Sequence, residues 1–83
     1  MGMHAARKAR QVLRNTETVL GIELMCGAQA LEFLRPLRPG RGVEQAYGRI
    51  RSRIAPLERD RVLAPDIATA AELVREGVFA PPR

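Results

Sequence analysis

The sequence predicts an all-α fold, with one long helix followed by two shorter helices as part of a helical-bundle oligomer. Three observations carry this expectation. Apolar residues recur at steps of three and four from almost the first position. The pattern breaks only at proline and glycine. No stretch alternates with the period of two that marks a strand.

The first helix is predicted over residues 1–34, from about Met3 to Leu34. Ala5, Ala9, Val12, Leu13, Thr16 and Leu20 fall at helical spacing, with Arg7, Lys8, Arg10, Arg14 and Glu17 mostly on other faces. From Val19 to Leu31 small or apolar residues take nearly the whole circumference, interrupted by Glu23 and Gln29. A helix apolar all round is a buried helix, so burial is expected in the second half. Nothing stops the helix before Pro36. Such a helix is roughly 48 Å long, whereas a compact globule of this chain length is only about 30 Å across. The remaining fifty or so residues cannot easily surround it. The cover is therefore expected from other chains or from another part of the same protein.

Residues 35–42, Arg-Pro-Leu-Arg-Pro-Gly-Arg-Gly, form the clear break. Their three arginines could clamp a phosphate or carboxylate, and a solvated loop is the simpler reading. Two shorter helices are predicted within 43–77. The first runs from about Val43 to Ala55, with Val43, Ala46, Tyr47, Ile50 and Ile54 on one face, and Pro56 ends it. Arg49, Arg51 and Arg53 lie largely off that face and read as a wet surface. After the charged connection Glu58-Arg59-Asp60-Arg61, the run Leu63-Ala64-Pro65-Asp66-Ile67 reads as a helix start. Proline loses no needed N–H there, and Asp66 suits the positive end of the dipole. Ile67, Ala70, Ala71 and Val74 make its buried stripe, which Gly77 should end. Residues 78–83 are expected to be a tail in which Phe79 could dock.

Composition narrows the function classes. Eighty-three residues with three aromatics, Phe33, Tyr47 and Phe79, build a large core with difficulty. Twelve alanines and seven glycines suit closely packed helices. The net charge of +5 rests on thirteen arginines and one lysine scattered among acids. A basic helix over 5–20 and the arginines of 35–53 could attract phosphates, but no helix-turn-helix spacing, stacking platform or zinc module accompanies them. Cys26 is the single cysteine, so no internal disulfide can form, and a reducing cytoplasmic setting fits. Its apolar surroundings predict an inert buried thiol. The apolar run 19–31 is short for a membrane span.

Chemistry-bearing residues are sparse. His4 is the only histidine and Ser52 the only serine, so neither a metal cluster nor a Ser-His-Asp system assembles within one chain. No metal, cofactor-binding or catalytic residue is assigned. Gly40-Arg41-Gly42 carries no phosphate-loop continuation. Glu23 is either a buried acid with a raised pKa or a partner in a hydrogen bond across a helix interface, and the second is favoured.

The blocks Gly2-Met3-His4-Ala5-Ala6-Arg7-Lys8, Asn15-Thr16-Glu17-Thr18-Val19-Leu20 and Ala28-Gln29-Ala30-Leu31-Glu32-Phe33 stand in a telling order. With Arg35-Pro36-Leu37, Asp60-Arg61-Val62-Leu63-Ala64-Pro65-Asp66-Ile67 and Ala71-Glu72-Leu73-Val74, they resemble the C-terminal region of the aromatic amino-acid lyases. The resemblance covers residues 1–77 and is closest to the histidine ammonia-lyase members. It implies a homotetrameric helical enzyme that converts L-histidine to urocanate and ammonia. The electrophile would be a methylidene-imidazolone made from an internal Ala-Ser-Gly.

Here Ser52 stands in Arg-Ser-Arg, so that precursor is missing from residues 1–83. The family's catalytic glutamate, in an Asn-x-Glu motif, is expected just upstream of residue 1. No catalytic residue carries over. The resulting expectation is a C-terminal fragment or split subunit that contributes assembly surface and is not catalytic alone. Contacts with a second copy or with a partner lyase chain are expected through Val19, Leu20, Leu24, Gly27 and Leu31. The alternatives are a stand-alone self-association or regulatory module and, less favoured, a basic nucleic-acid-binding protein.

Overall fold

The computed structural model describes residues 2–80, so the last residues of the tail lie outside it. It contains three helices: α1 (Gly2–Phe33), α2 (Arg41–Arg51) and α3 (Ala64–Arg75). There is no strand among the described residues. The molecule extends over 54 × 36 × 16 Å with a radius of gyration of 15.0 Å. A compact chain of this size would have about 12 Å. The excess comes from α1, whose 32 residues span roughly 48 Å and whose first fifteen are all exposed.

Helix α3 lies against the middle of α1, and small residues set the approach. Gly21 faces the α3 backbone so closely that a Cβ there would stand 2.9 Å from the Ala71 nitrogen and 3.1 Å from the Ala70 Cβ. Ala28, Ala70, Ala71 and Leu73 are buried around this crossing. Glu17 is buried too, at 7 % exposure, and accepts a hydrogen bond of 3.2 Å from Arg75 Nε across the helix pair. The sequence pattern had put Glu17 off the apolar face. A buried carboxylate is tolerated here because the α3 guanidinium reaches it.

Helix α2 folds back on the C-terminal part of α1. Ile50 and Ile54 join Ala28 and Ala70 in the core, with Leu24, Met25, Tyr47 and Phe79 packed on them. Regular helix in α2 starts at Arg41 and stops at Arg51, short of Ala55. The following turn still satisfies its backbone, because the Ile54 amide donates to the Ile50 carbonyl at 2.8 Å. That turn carries Ile54 into the core at 2 % exposure. Glu44 in the first turn and Arg49 and Arg51 in the last both complement the helix dipole.

Arg61 orders the connection to α3. It donates to Asp66 at 2.8 Å and to the carbonyls of Pro56 at 3.1 Å and Ala55 at 2.6 Å. Gln29 holds the same connection from the other side. Its amide donates to the Leu57 carbonyl at 3.2 Å and accepts from the Leu57 N–H at 2.9 Å. Helix α3 has Pro65 in its first turn and closes at Gly77, whose φ is +74°. The Gly77 amide donates to Val74 and the Val78 amide to Leu73, which satisfies two of the last carbonyls.

Candidate functional site

Two features of α1 and its neighbours stand out. One is an apolar groove of about 770 Å³ between the second half of α1, α2 and the segment after α3. Leu20, Leu24, Gly27 and Leu31 line its α1 wall, and Tyr47 and Phe79 contribute from the other elements. Four of the five contact residues expected from the sequence therefore come together here. The fifth, Val19, turns away onto a separate shallow patch with Val12, Asn15, Thr16 and Leu20. Glu23 stands exposed at the groove wall. Within this chain it is neither buried nor joined to another described residue by an ion pair, so it is not the buried acid that was one of the two sequence alternatives. Cys26 is likewise exposed rather than buried, because α3 covers the opposite side of α1.

The other feature is a polar cluster at the end of α1. The Tyr47 hydroxyl donates to Glu32 Oε1 and accepts from Arg35 Nη2 at 2.7 Å. Arg51 Nε donates to the same Glu32 oxygen at 3.0 Å, and Arg35 Nε lies 3.5 Å from Glu32 Oε2. Both guanidinium groups also stand over the Tyr47 ring, 5.0 and 5.4 Å from its centroid. The Tyr47 hydrogen bond, helped by the Arg51 hydrogen bond and the charges of Arg51 and Arg35, holds the Glu32 carboxyl below its ordinary pKa despite some desolvation.

This cluster was missed in the sequence, where Arg51 read as solvated. The signal was the spacing that puts Arg35 three residues after Glu32 and Tyr47 four before Arg51. Arg51 Nη2 is buried without a hydrogen-bond partner among the described residues. The cluster is internally neutralised to one net positive charge. It ties α2 to α1.

The single serine is equally committed. Ser52 caps α2, its hydroxyl donates to the Arg49 carbonyl at 2.6 Å, and its neighbours are arginines. These residues do not fit a methylidene-imidazolone, whose precursor needs small residues on both sides of the serine. Among the described residues no group of His, Cys, Asp and Glu could hold a metal ion, and no helix is long and apolar enough to cross a membrane. Five arginines, Arg35, Arg51, Arg53, Arg61 and Arg75, are paired with acids of the chain itself.

Known proteins resemble this chain over most of its length. Residues 1–52 match the model of the aromatic amino acid lyase family. The histidine ammonia-lyase of Symbiobacterium thermophilum is 60% identical over 77 residues, which is 93% of this chain and 15% of that protein. The histidine ammonia-lyase of Anaeromyxobacter sp. (strain K) is 51% identical over 77 residues, again 93% of this chain and 15% of that protein. The human histidine ammonia-lyase is 46% identical over 76 residues, 92% of this chain and 12% of that protein. The chain thus spans about 15% of the length of the curated relatives it matches. No solved structure matches it.

Proposed function

The chain belongs to the aromatic amino acid lyase family, and from that premise we propose that it is a helical assembly segment of a histidine ammonia-lyase. In this reading it contributes packing surface to an enzyme that converts L-histidine to urocanate and ammonia in the cytoplasm. The residues that carry out the deamination lie outside residues 1–83. The groove is the observation that carries the reading. Leu20, Leu24, Gly27 and Leu31 present an apolar wall at helical spacing to a groove of about 770 Å³. A lone small chain rarely leaves such a surface open, and a continuous apolar patch of this kind marks a contact with protein. The tying up of Ser52 and Glu32 in structural hydrogen bonds supports the division between assembly and chemistry.

The test combines mass and activity on the purified chain. Light scattering at micromolar concentration should give a dimer or larger species, and Leu24→Glu should reduce it to monomer or unfold it. Incubation of the same chain with L-histidine should give no urocanate absorbance. A monomeric wild-type chain overturns the assembly role, and urocanate formed by this chain alone overturns the separation of assembly from catalysis.

A further inference from the structure

We propose that the basic stripe on the first half of α1 seats an acidic helix of another polypeptide, laid end to end with α3 along the same face. Residues 3, 7, 10, 14, 17, 21, 24 and 28 follow one another at alternating steps of four and three. Positions so spaced lie on one side of a helix, so they form a single seam. Its second half is already a helix seat. Arg75 donates to Glu17, Ala70 and Ala71 stand against Gly21, and Ala28 shares a core with Ala70, so α3 runs antiparallel to α1 there. The seat continues where α3 stops. At Gly77, with φ +74°, the chain turns aside, and Phe79 packs on the core instead. Met3, Arg7, Arg10 and Arg14 carry the seam onward and are all exposed. None of the three arginines is joined to another described residue by an ion pair.

Charge names the occupant. Residues 2–16 hold Arg7, Lys8, Arg10 and Arg14 and no acid, at the positive end of the helix dipole. This arrangement disfavours the helix that bears it, and an anion from outside reverses the effect. A local rule broken without compensation inside the fold is expected at a functional site. Apolar neighbours decide which anion fits. Met3 on the stripe is 73% exposed and Leu13 beside it 58%. A phosphate backbone gives these side chains nothing to pack against, whereas an amphipathic helix covers them with its apolar face.

Direction follows from the dipoles. A helix running the same way as α3 sets its own N-terminal end against the C-terminal end of α3, positive to negative. Carboxylates in its first turn then meet Arg14, and others three or four residues further on meet Arg10 and Arg7. The acids at the junction do not oppose it, because Glu17 is held by Arg75 and Glu76 by Arg53. The groove lies along the second half of α1, so the two surfaces are filled separately and the proposal does not rest on the lyase reading.

Fluorescence anisotropy of a labelled synthetic helix, titrated with the full chain at low ionic strength, tests this. The probe carries glutamates at alternating steps of three and four with leucines beside them. A control peptide has the same composition, with its glutamates spread round the helix. The probe should bind at least about fivefold more tightly than the control, because only its carboxylates reach several arginines at once. Arg7→Ala, Arg10→Ala and Arg14→Ala should each weaken binding about two- to fivefold, the range of an exposed ion pair. Lys8→Ala removes the same charge about 100° round the helix from Arg7 and should change binding by less than about twofold. All four positions are exposed and alanine favours helix, so the variants keep the fold. Equal losses from Lys8→Ala and Arg10→Ala mean attraction to net charge alone and overturn the proposal. Equal affinities for the two peptides, or a probe that does not bind, overturn it as well. Duplex DNA that binds more tightly than the probe overturns the choice of a polypeptide.

Discussion

Replacing Gly21 with alanine measures the contact on which the fold depends. Alanine in a helix interior is favoured over glycine by about 1 kcal/mol, so the change would stabilise α1 if the site were open. It is not open. The new Cβ would meet the Ala71 nitrogen at 2.9 Å and the Ala70 carbonyl carbon at 3.1 Å, and these are backbone atoms that no rotamer change can move. Overpacking of this sort costs about 1–3 kcal/mol, and blocking by backbone argues for the upper part of that range. The net effect of Gly21→Ala is thus a loss of about 1–2 kcal/mol. Gly27 supplies the control on the same helix, because nothing lies within 4 Å of the point where its Cβ would stand. In the unassociated chain, where the groove that Gly27 lines is open, Gly27→Ala should gain about 1 kcal/mol. The two variants should differ in melting temperature by on the order of 10–20 °C, at roughly 4–8 °C per kcal/mol for a domain of this size. Far-UV circular dichroism at one fixed chain concentration reads both. If Gly21→Ala rises in step with Gly27→Ala, α3 does not lie against Gly21.

The polar cluster makes stability depend on acid. Because the folded-state pKa of Glu32 is lowered below its ordinary value of 4.5, its contribution is present above that value and disappears as pH falls through the folded-state pKa. Tyr47→Phe removes the largest cause, so urea midpoints measured from pH 6 down to pH 3 should fall less steeply in the variant than in the wild type. Arg61→Ala should free the carbonyls of Ala55 and Pro56 together with Asp66, at a cost of about 1–2 kcal/mol, and speed hydrogen exchange in residues 55–63. Arg61→Lys should not restore protection, because an ammonium lacks the planar fork that spans three acceptors.

The helical architecture was legible because its punctuation is local. Pro36, Pro56 and Gly77 act on their own backbone, and a period of three to four residues needs no partner to be recognised. What stayed hidden required a second element. Glu17 and Cys26 sit nine residues apart on one helix, and only the placement of α3 decides that the acid is covered and the thiol is not. Leu73 is buried at 3% exposure while Ile67 and Val74 are only partly covered, because α3 is rotated to bring Ala70 and Ala71 onto Gly21. For the same reason Arg61 read only as part of a charged connection and Gln29 only as an interruption of an apolar run. Their role is to satisfy backbone groups of a loop that has no periodic signature. Of the groove, the sequence supplied the apolar wall on α1. It offered Tyr47 on an apolar face and Phe79 as a residue that could dock, but not that both meet this wall, which depends on how α2 and the segment after α3 fold back.

The small residues that let α1 and α3 approach also limit what that approach contributes. Gly21, Ala28, Ala70 and Ala71 remove little apolar area from water, and among the described residues only Ile50, Ile54 and Leu73 of the larger aliphatics are buried. Val12, Val19, Leu20 and Ile22 remain outside on α1. At about 25 cal/mol per Å² of apolar surface, covering such side chains contributes free energy comparable to the net stability of a small domain. Under the proposed assembly, folding and association are therefore one equilibrium, and stability must depend on chain concentration. For a dimer each tenfold increase adds about 0.7 kcal/mol per chain, half of the usual 1.4 kcal/mol per decade. The melting temperature should then rise by roughly 3–6 °C per decade of concentration. A melting temperature that stays constant from 2 to 200 µM, on the order of two decades, would refute the coupling, because the exposed face of α1 would then add nothing to the stability of the fold.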